Sequence, residues 1–181
     1  MYPPRPLTDE PLAIDLVNTI WVDGSTVYDL LDSDLGTRLW LEERELAYDA
    51  TSRALPDLSK IRANLIQTRT VLRAILEPPF EAAQRDILNA VLARGSTLRL
   101  LGEQGIDSHT RVAAEWQAAW LAASNLLELL EVTPERLKKC ANPSCVLHFF
   151  DRSPKNARRW HDMQTCGNRA KAQRHYLKTR H

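Results

Sequence analysis

Residues 140–166 read CANPSCVLHFFDRSPKNARRWHDMQTC, and they hold all three cysteines of a 181-residue chain. The spacing is Cys140-x4-Cys145, then fifteen residues, then His161-x4-Cys166. Two short chelating pairs separated by a loop are the usual logic of a structural zinc site. Zn²⁺ takes four ligands in a tetrahedron and accepts thiolate sulfur and imidazole nitrogen readily. Each short pair fixes two ligands at little entropic cost, and the second pair closes the loop. The cysteines supply three ligands, so the fourth has to be argued. His161 mirrors the spacing of the first pair and completes a Cys3His set. His148 is a rival because it follows Cys145 by three residues, although Val146 to Phe150 reads as a short strand with alternating faces. Water is the other rival. His175, nine residues beyond Cys166, is too far along the final helix. No Asp or Glu is placed as a base, so Asp151 and Asp162 read as supporting or helix-capping acids and the metal as structural.

Outward from this stretch the charge is uneven. Residues 133–181 carry 12 Lys and Arg against 3 Asp and Glu, a balance of +9, whereas residues 1–132 stand at −8. A basic end on an acidic body suggests an anionic partner for that end, nucleic acid being the commonest. Arg152, Lys155, Arg158 and Arg159 lie in the loop between the ligand pairs. Arg169, Lys171, Arg174 and Lys178 follow Cys166 on a helix expected from about Met163. Zinc would pin loop to helix and gather both groups into a surface for phosphate contacts, which give affinity without sequence information.

The body before residue 133 reads as helical. Leu58, Ile61, Leu65, Thr68, Leu72 and Ile75 share one face of a helix that Pro78-Pro79 stops. Phe80, Ile87, Leu88, Val91 and Leu92 suggest a second helix, ending near Gly95. Trp116, Ala119, Trp120, Ala123, Leu126, Leu127 and Leu130 suggest a third. Thr37 is positioned to cap a helix running to about Tyr48, with Leu39, Trp40, Leu46 and Ala47 inside. Asp29 to Leu31 looks like a short helical turn. Leu12 to Trp21 is mostly apolar and too short to assign as helix or strand. Thr97–Leu101 and Thr110–Ala113 flank a turn-rich connection and suggest a small β-hairpin. Thr133-Pro134 carries an N-cap and first-turn signal at the point where the charge changes sign. The expected organisation is therefore a helical domain over 1–132 and a zinc module over 133–181, mainly α overall.

Function classes narrow accordingly. No apolar run approaches the length needed to cross a bilayer, and no basic segment followed by an apolar stretch opens the chain, so a cytoplasmic protein with reduced cysteines is expected. No nucleophile–base pair, phosphate loop or metalloprotease helix is present, so no enzyme is expected.

At Cys166-Gly167-Asn168-Arg169 the sequence closely resembles the bacterial CGNR zinc finger family. Cys140-Ala141-Asn142, Phe149-Phe150-Asp151-Arg152-Ser153, Arg158-Arg159-Trp160 and Ala170-Lys171 add to the resemblance in the family's order. In that family the finger follows an all-helical region called the ABATE domain, and LAIDLVNT at 12–19 looks like its opening motif. The resemblance implies a small treble-clef-like zinc module, with a short strand and a helix, on a helical domain. It also implies a stress-induced transcription regulator. One position departs from the pattern: the family usually has Trp-Cys before its Met, and here Trp160 is followed by His161. Cys to His keeps a zinc ligand. The expected function is a zinc-dependent regulator whose basic module binds nucleic acid, DNA above all. The helical domain would form a homodimer or sense a small-molecule effector. The alternative is a zinc-stabilised protein–protein interaction module, or a small-molecule sensor that does not touch nucleic acid.

Overall fold

The chain LAIDLVNTIW is both helix and strand. The computed structural model describes residues 2–46, 57–169 and 171–172, and within it Leu12–Val17 forms helix α1 while Ile20–Asp23 forms strand β1. Pro11 ends the extended start, where its fixed φ suits the residue before a helix. Asn18 and Thr19 make the turn between the two elements. β1 pairs antiparallel with β2, Thr26–Asp29. Gly24, with φ of +60°, sits at the tip, a backbone conformation that side chains disfavour.

The short turn expected near residue 30 is a 3₁₀ turn over Leu30–Asp32, and Asp29 caps it by accepting from the Leu31 N–H. Helix α2 then runs over Asp34–Glu43. Thr37 is not its cap. Ser33 caps it, its hydroxyl accepting from the Gly36 N–H at 3.1 Å, while Thr37 is buried one turn inside and donates to the Ser33 carbonyl. A Ser-x-x motif one turn upstream won because its hydroxyl reaches the free N–H groups and that of Thr37 does not. A Cβ on Gly36 would overlap the Leu30 carbonyl oxygen, so α2 lies directly against the preceding turn. The helix ends at Glu43 rather than near Tyr48; Ala47 and Tyr48 lie outside the described residues.

Helix α3, Leu58–Leu76, is the axis of the body. Asp57 caps it through the Ser59 N–H, and Ile61, Leu65, Thr68, Leu72 and Ile75 are buried along one face as their spacing predicts. Helix α4, Ala82–Leu92, buries Leu88 and Val91, but Ile87 is exposed and Phe80 lies before the helix in solvent. Helix α5, Gln117–Val132, packs on α1, α3 and α4 and buries Ala119, Trp120, Ala123 and Leu126. Leu39 and Leu127, expected inside, are also exposed. A helix on the surface of the body buries one apolar stripe, and these two side chains lie off it. The hairpin expected near 97–113 is longer than its sequence signal, with β3 over Gly95–Gly102 and β4 over Gly105–Val112, and it projects from the body with nearly every residue exposed.

The last segment begins with a 3₁₀ turn over Pro134–Arg136, which Thr133 does not cap with its side chain. Strand β5, Leu137–Lys139, pairs antiparallel with β6, His148–Phe150. The expected strand was therefore one half of a hairpin. β6 packs on α1 and β5 on α3, and Leu147 joins the same hydrophobic core as α1, α3 and α5. Among the described residues the architecture is mainly α, with three small antiparallel hairpins and a Cys/His cluster in the C-terminal segment.

The polar residues of LAIDLVNT tie these parts together. Asp15, fully buried, accepts from the Trp40 indole N–H at 2.7 Å and faces Arg5 and Arg44. Asn18 donates to the His148 carbonyl at 2.8 Å and accepts from the His148 N–H at 2.9 Å. Thr19 accepts from Arg69. Asn18→Ala would leave the N–H and C=O of His148 buried and unpaired, so it should cost about 2 kcal/mol. Denaturant unfolding would show this as a lower midpoint, and an unchanged midpoint would mean the seam is not anchored there.

Candidate metal centre

Four side chains converge at the turn between β5 and β6 and at the start of the last helical segment. The ligand-capable atoms of Cys140, Cys145, His161 and Cys166 all lie within 4.8 Å of one another. Cys140, His161 and Cys166 are buried, and Cys145 is half-buried. Cys145 Sγ and His161 Nδ1 are 3.6 Å apart. That matches the edge of a tetrahedron built from bonds of about 2.3 Å to sulfur and about 2.0–2.1 Å to nitrogen. The set therefore fits structural zinc.

Local structure explains the convergence. The Cys140 N–H donates to the Leu147 carbonyl at 2.9 Å, and the Cys145 N–H to the Asn142 carbonyl at 2.9 Å, so the first pair sits on a tight knuckle closing the β5–β6 hairpin. The Ala141 N–H donates to the Arg159 carbonyl at 2.8 Å, which draws the approach to His161 alongside the knuckle. Asp162 then caps a single wide π-type turn, Met163–Gly167, accepting from the Thr165 N–H at 2.7 Å, and this turn delivers Cys166.

Asn142 is the residue that spacing alone does not reveal. Its side-chain N–H donates to Cys166 Sγ at 3.2 Å, and its Oδ1 accepts from Ser144. A hydrogen bond to a ligating sulfur orients it and moderates its charge. Its only signal was its place two residues after Cys140, within the quoted Cys-Ala-Asn. The hydrogen bond from the Cys145 thiol outweighs burial and holds the Cys140 thiol well down, at about 3, with His161 adding to the effect. Hydrogen bonding to Cys140, with burial, pushes the Cys145 thiol up, and burial pushes Cys166 up as well. One thiolate thus borrows the proton of its neighbour, whereas a dication at the centre would deprotonate all three.

His148 is not in the cluster. It is buried against the body, with Nε2 3.5 Å from Glu77 Oε1. Burial, reinforced by Arg73, lowers its pKa to about 4. The unfolded chain has a histidine near 6.5, so between those values the unfolded state binds the extra proton. Stability should therefore be full above about pH 6.5 and fall as pH drops toward 4, by up to about 3 kcal/mol. Unfolding measured against pH for the wild type and His148→Gln should differ in slope over that window. Parallel curves would show that His148 does not govern it.

The basic residues expected at an interface divide into four groups. Lys155, Arg159, Arg169 and Lys171 are exposed and form no ion pair among the described residues. Arg152 is half-exposed, with Nη1 3.9 Å from the buried carboxylate of Glu10. Arg158 is half-buried; it donates to the His161 carbonyl and lies 5.0 Å over the Phe149 ring, so it braces the module. Arg174 and Lys178, like His175, lie outside the described residues. Asn168 and Arg169 of the CGNR run are exposed, not buried against the ligand loop.

The loop carrying these cations is held from below by Asp151, which is fully buried. Burial alone would raise its pKa, but hydrogen bonds from Lys138, Ser153 and Arg158 outweigh it and keep the carboxyl well below the usual range. Lys138 also donates to the carbonyls of Asn156 and Arg158.

A helical body carrying a small Cys3His module is thus the class that fold and site define. Residues 10–132 match the ABATE family, described as "Putative stress-induced transcription regulator", and residues 136–179 match the CGNR zinc finger. The chain belongs to the ABATE family and ends in a CGNR zinc finger. No curated protein matches it. No helix among the described residues is long and apolar enough to cross a membrane.

Proposed function

We propose that Cys140, Cys145, His161 and Cys166 hold the zinc, and that the module they fold, over residues 133–181, binds nucleic acid, DNA above all, as the working end of a regulator. The observation that carries this reading is the exposure of Lys155, Arg159, Arg169 and Lys171 on the two segments that converge on the metal cluster. Side chains meant to neutralise the acidic body would be paired with it; among the described residues these are not. Arg152, Arg158, Arg174 and Lys178 complete the basic set, with Arg158 in a bracing role. The body over 1–132 would dimerise or sense a small effector, in the cytoplasm. The hairpin–knuckle–helix order of the module supports a treble-clef-like description.

Binding of a labelled duplex, followed against salt, tests this. Each phosphate contact should contribute about −0.9 to the slope of log affinity against log salt. Four contacts would give a slope of roughly −3 to −4. The absence of binding to DNA or RNA at low salt would remove the reading.

One observation favours an interaction module instead. The zinc segment is fastened to the body by Asn18, by the Phe150 N–H donating to Glu10 at 2.7 Å, and by Arg73 donating to the carbonyls of Val146 and Val17. A module so attached would pass a change in the body to a protein partner equally well.

A further inference from the structure

Beside the metal cluster, on the side of the ligand loop, lies an open groove of about 590 Å³. Pro154, Ala157, Trp160 and Met163 give it an apolar lining, and Lys155 and Arg159 charge its rim. Met163 is 46% exposed although it is a large apolar side chain. The Trp160 indole N–H is buried and has no acceptor among the described residues. Arg159 lies 5.2 Å over the Trp160 ring, joining a cation to the aromatic surface.

The groove is also built in advance of any ligand. Asp151 grips the backbone N–H groups of Ser153 and Arg158, and Lys138 grips two loop carbonyls. Asn156 is held at φ of +46°, in the left-handed region, while its side chain donates to the Glu135 carbonyl. Strain of this kind persists only where the surroundings impose it.

An aromatic wall, a soft thioether and two rim cations together ask for one ligand chemistry. It is a flat ring with an anion on either side. We propose that this groove takes an unstacked nucleobase of a single-stranded nucleic acid, the base lying against Trp160 and Met163 and the flanking phosphates on Lys155 and Arg159. The proposal rests on the nucleic-acid reading and specifies it. A ring inside a duplex cannot enter such a groove, so the finger should prefer single strands or locally opened duplex.

The test uses the full zinc-loaded chain, with fluorescence anisotropy on labelled oligothymidylate and on a duplex of equal length. The single strand should bind more tightly. Trp160→Ala should weaken it by tenfold or more, in the range of a lost stacked base, with the salt slope unchanged. Trp160→Phe should keep most of the affinity. Zinc content reports folding; if Trp160→Ala loses zinc, Met163→Asp, at an exposed position, should weaken single-strand binding by at least tenfold in its place. A 5-bromodeoxyuridine strand should cross-link at Trp160 or Met163. Salt-dependent binding that prefers the duplex, or that zinc-replete Trp160→Ala and Met163→Asp leave intact, overturns the groove while the nucleic-acid reading stands. No binding to either strand overturns both.

Discussion

Cys166→Ala should release the zinc and unfold residues 140–167. In small zinc modules the metal contributes on the order of 10 kcal/mol of apparent folding free energy, far more than this segment's few apolar contacts can replace. Cys166 closes the second chelating pair and is held by Asn142 at 3.2 Å, so its loss opens the cluster at the point where the last helical segment begins. The amides of Cys140, Ala141, Cys145 and Gly167, each donating to a backbone carbonyl, should lose hydrogen-exchange protection. The body should remain folded but less stable, because Leu147 sits in its core and β6 lies on α1. Elemental analysis and exchange mass spectrometry would measure both effects. One zinc per chain with protection intact in the variant would contradict the ligand assignment.

Asp151→Ala should be nearly as damaging to the loop while leaving the metal in place. It strands the Lys138 ammonium, which is about a quarter exposed, and two backbone N–H groups, those of Ser153 and Arg158. Breaking a buried, hydrogen-bonded ion pair by removing one partner costs about 3–5 kcal/mol. The pH behaviour follows from the depressed carboxyl. A group whose folded pKa lies below its unfolded value, near 3.9, contributes fully above that value, and the contribution is lost as pH falls through the folded one. The difference between wild type and variant should therefore be constant from pH 7 to 5. Unchanged unfolding would show that Lys138 and the loop are held by other contacts. Reduced affinity for nucleic acid with zinc retained would tie the loop's shape to binding.

Much of the metal centre was legible in the sequence because chelation is local. Cys140-x4-Cys145 and His161-x4-Cys166 each close a short loop, the first as the knuckle of the β5–β6 hairpin and the second through the turn that Asp162 caps. Asn142 was not legible as a sulfur partner, since its role depends on Cys166, 24 residues away. The helices of the body followed from apolar spacing, most clearly Ile61 to Ile75. Phe80, Ile87, Leu39 and Leu127 did not, because hydrophobicity marks a residue that can be buried and only the neighbouring elements decide whether it is. Leu12 to Trp21 resisted assignment for a different reason: it holds a six-residue helix, a turn at Asn18-Thr19 and the first two residues of a strand, so no single periodicity runs through it.

The sequence by itself determined the candidate residues of the Cys/His cluster, the helical character of the body and the basic character of the end, since these depend on residue type and on separations of a few positions. Only the tertiary structure decided where His148 goes, that Asn18 and Glu10 fasten the zinc segment to α1 and its flank, and that Asp151 and Lys138 shape the Trp160 groove. Those arrangements join residues 13 to 140 positions apart. Their geometry comes from the packing of whole elements, which no local pattern encodes.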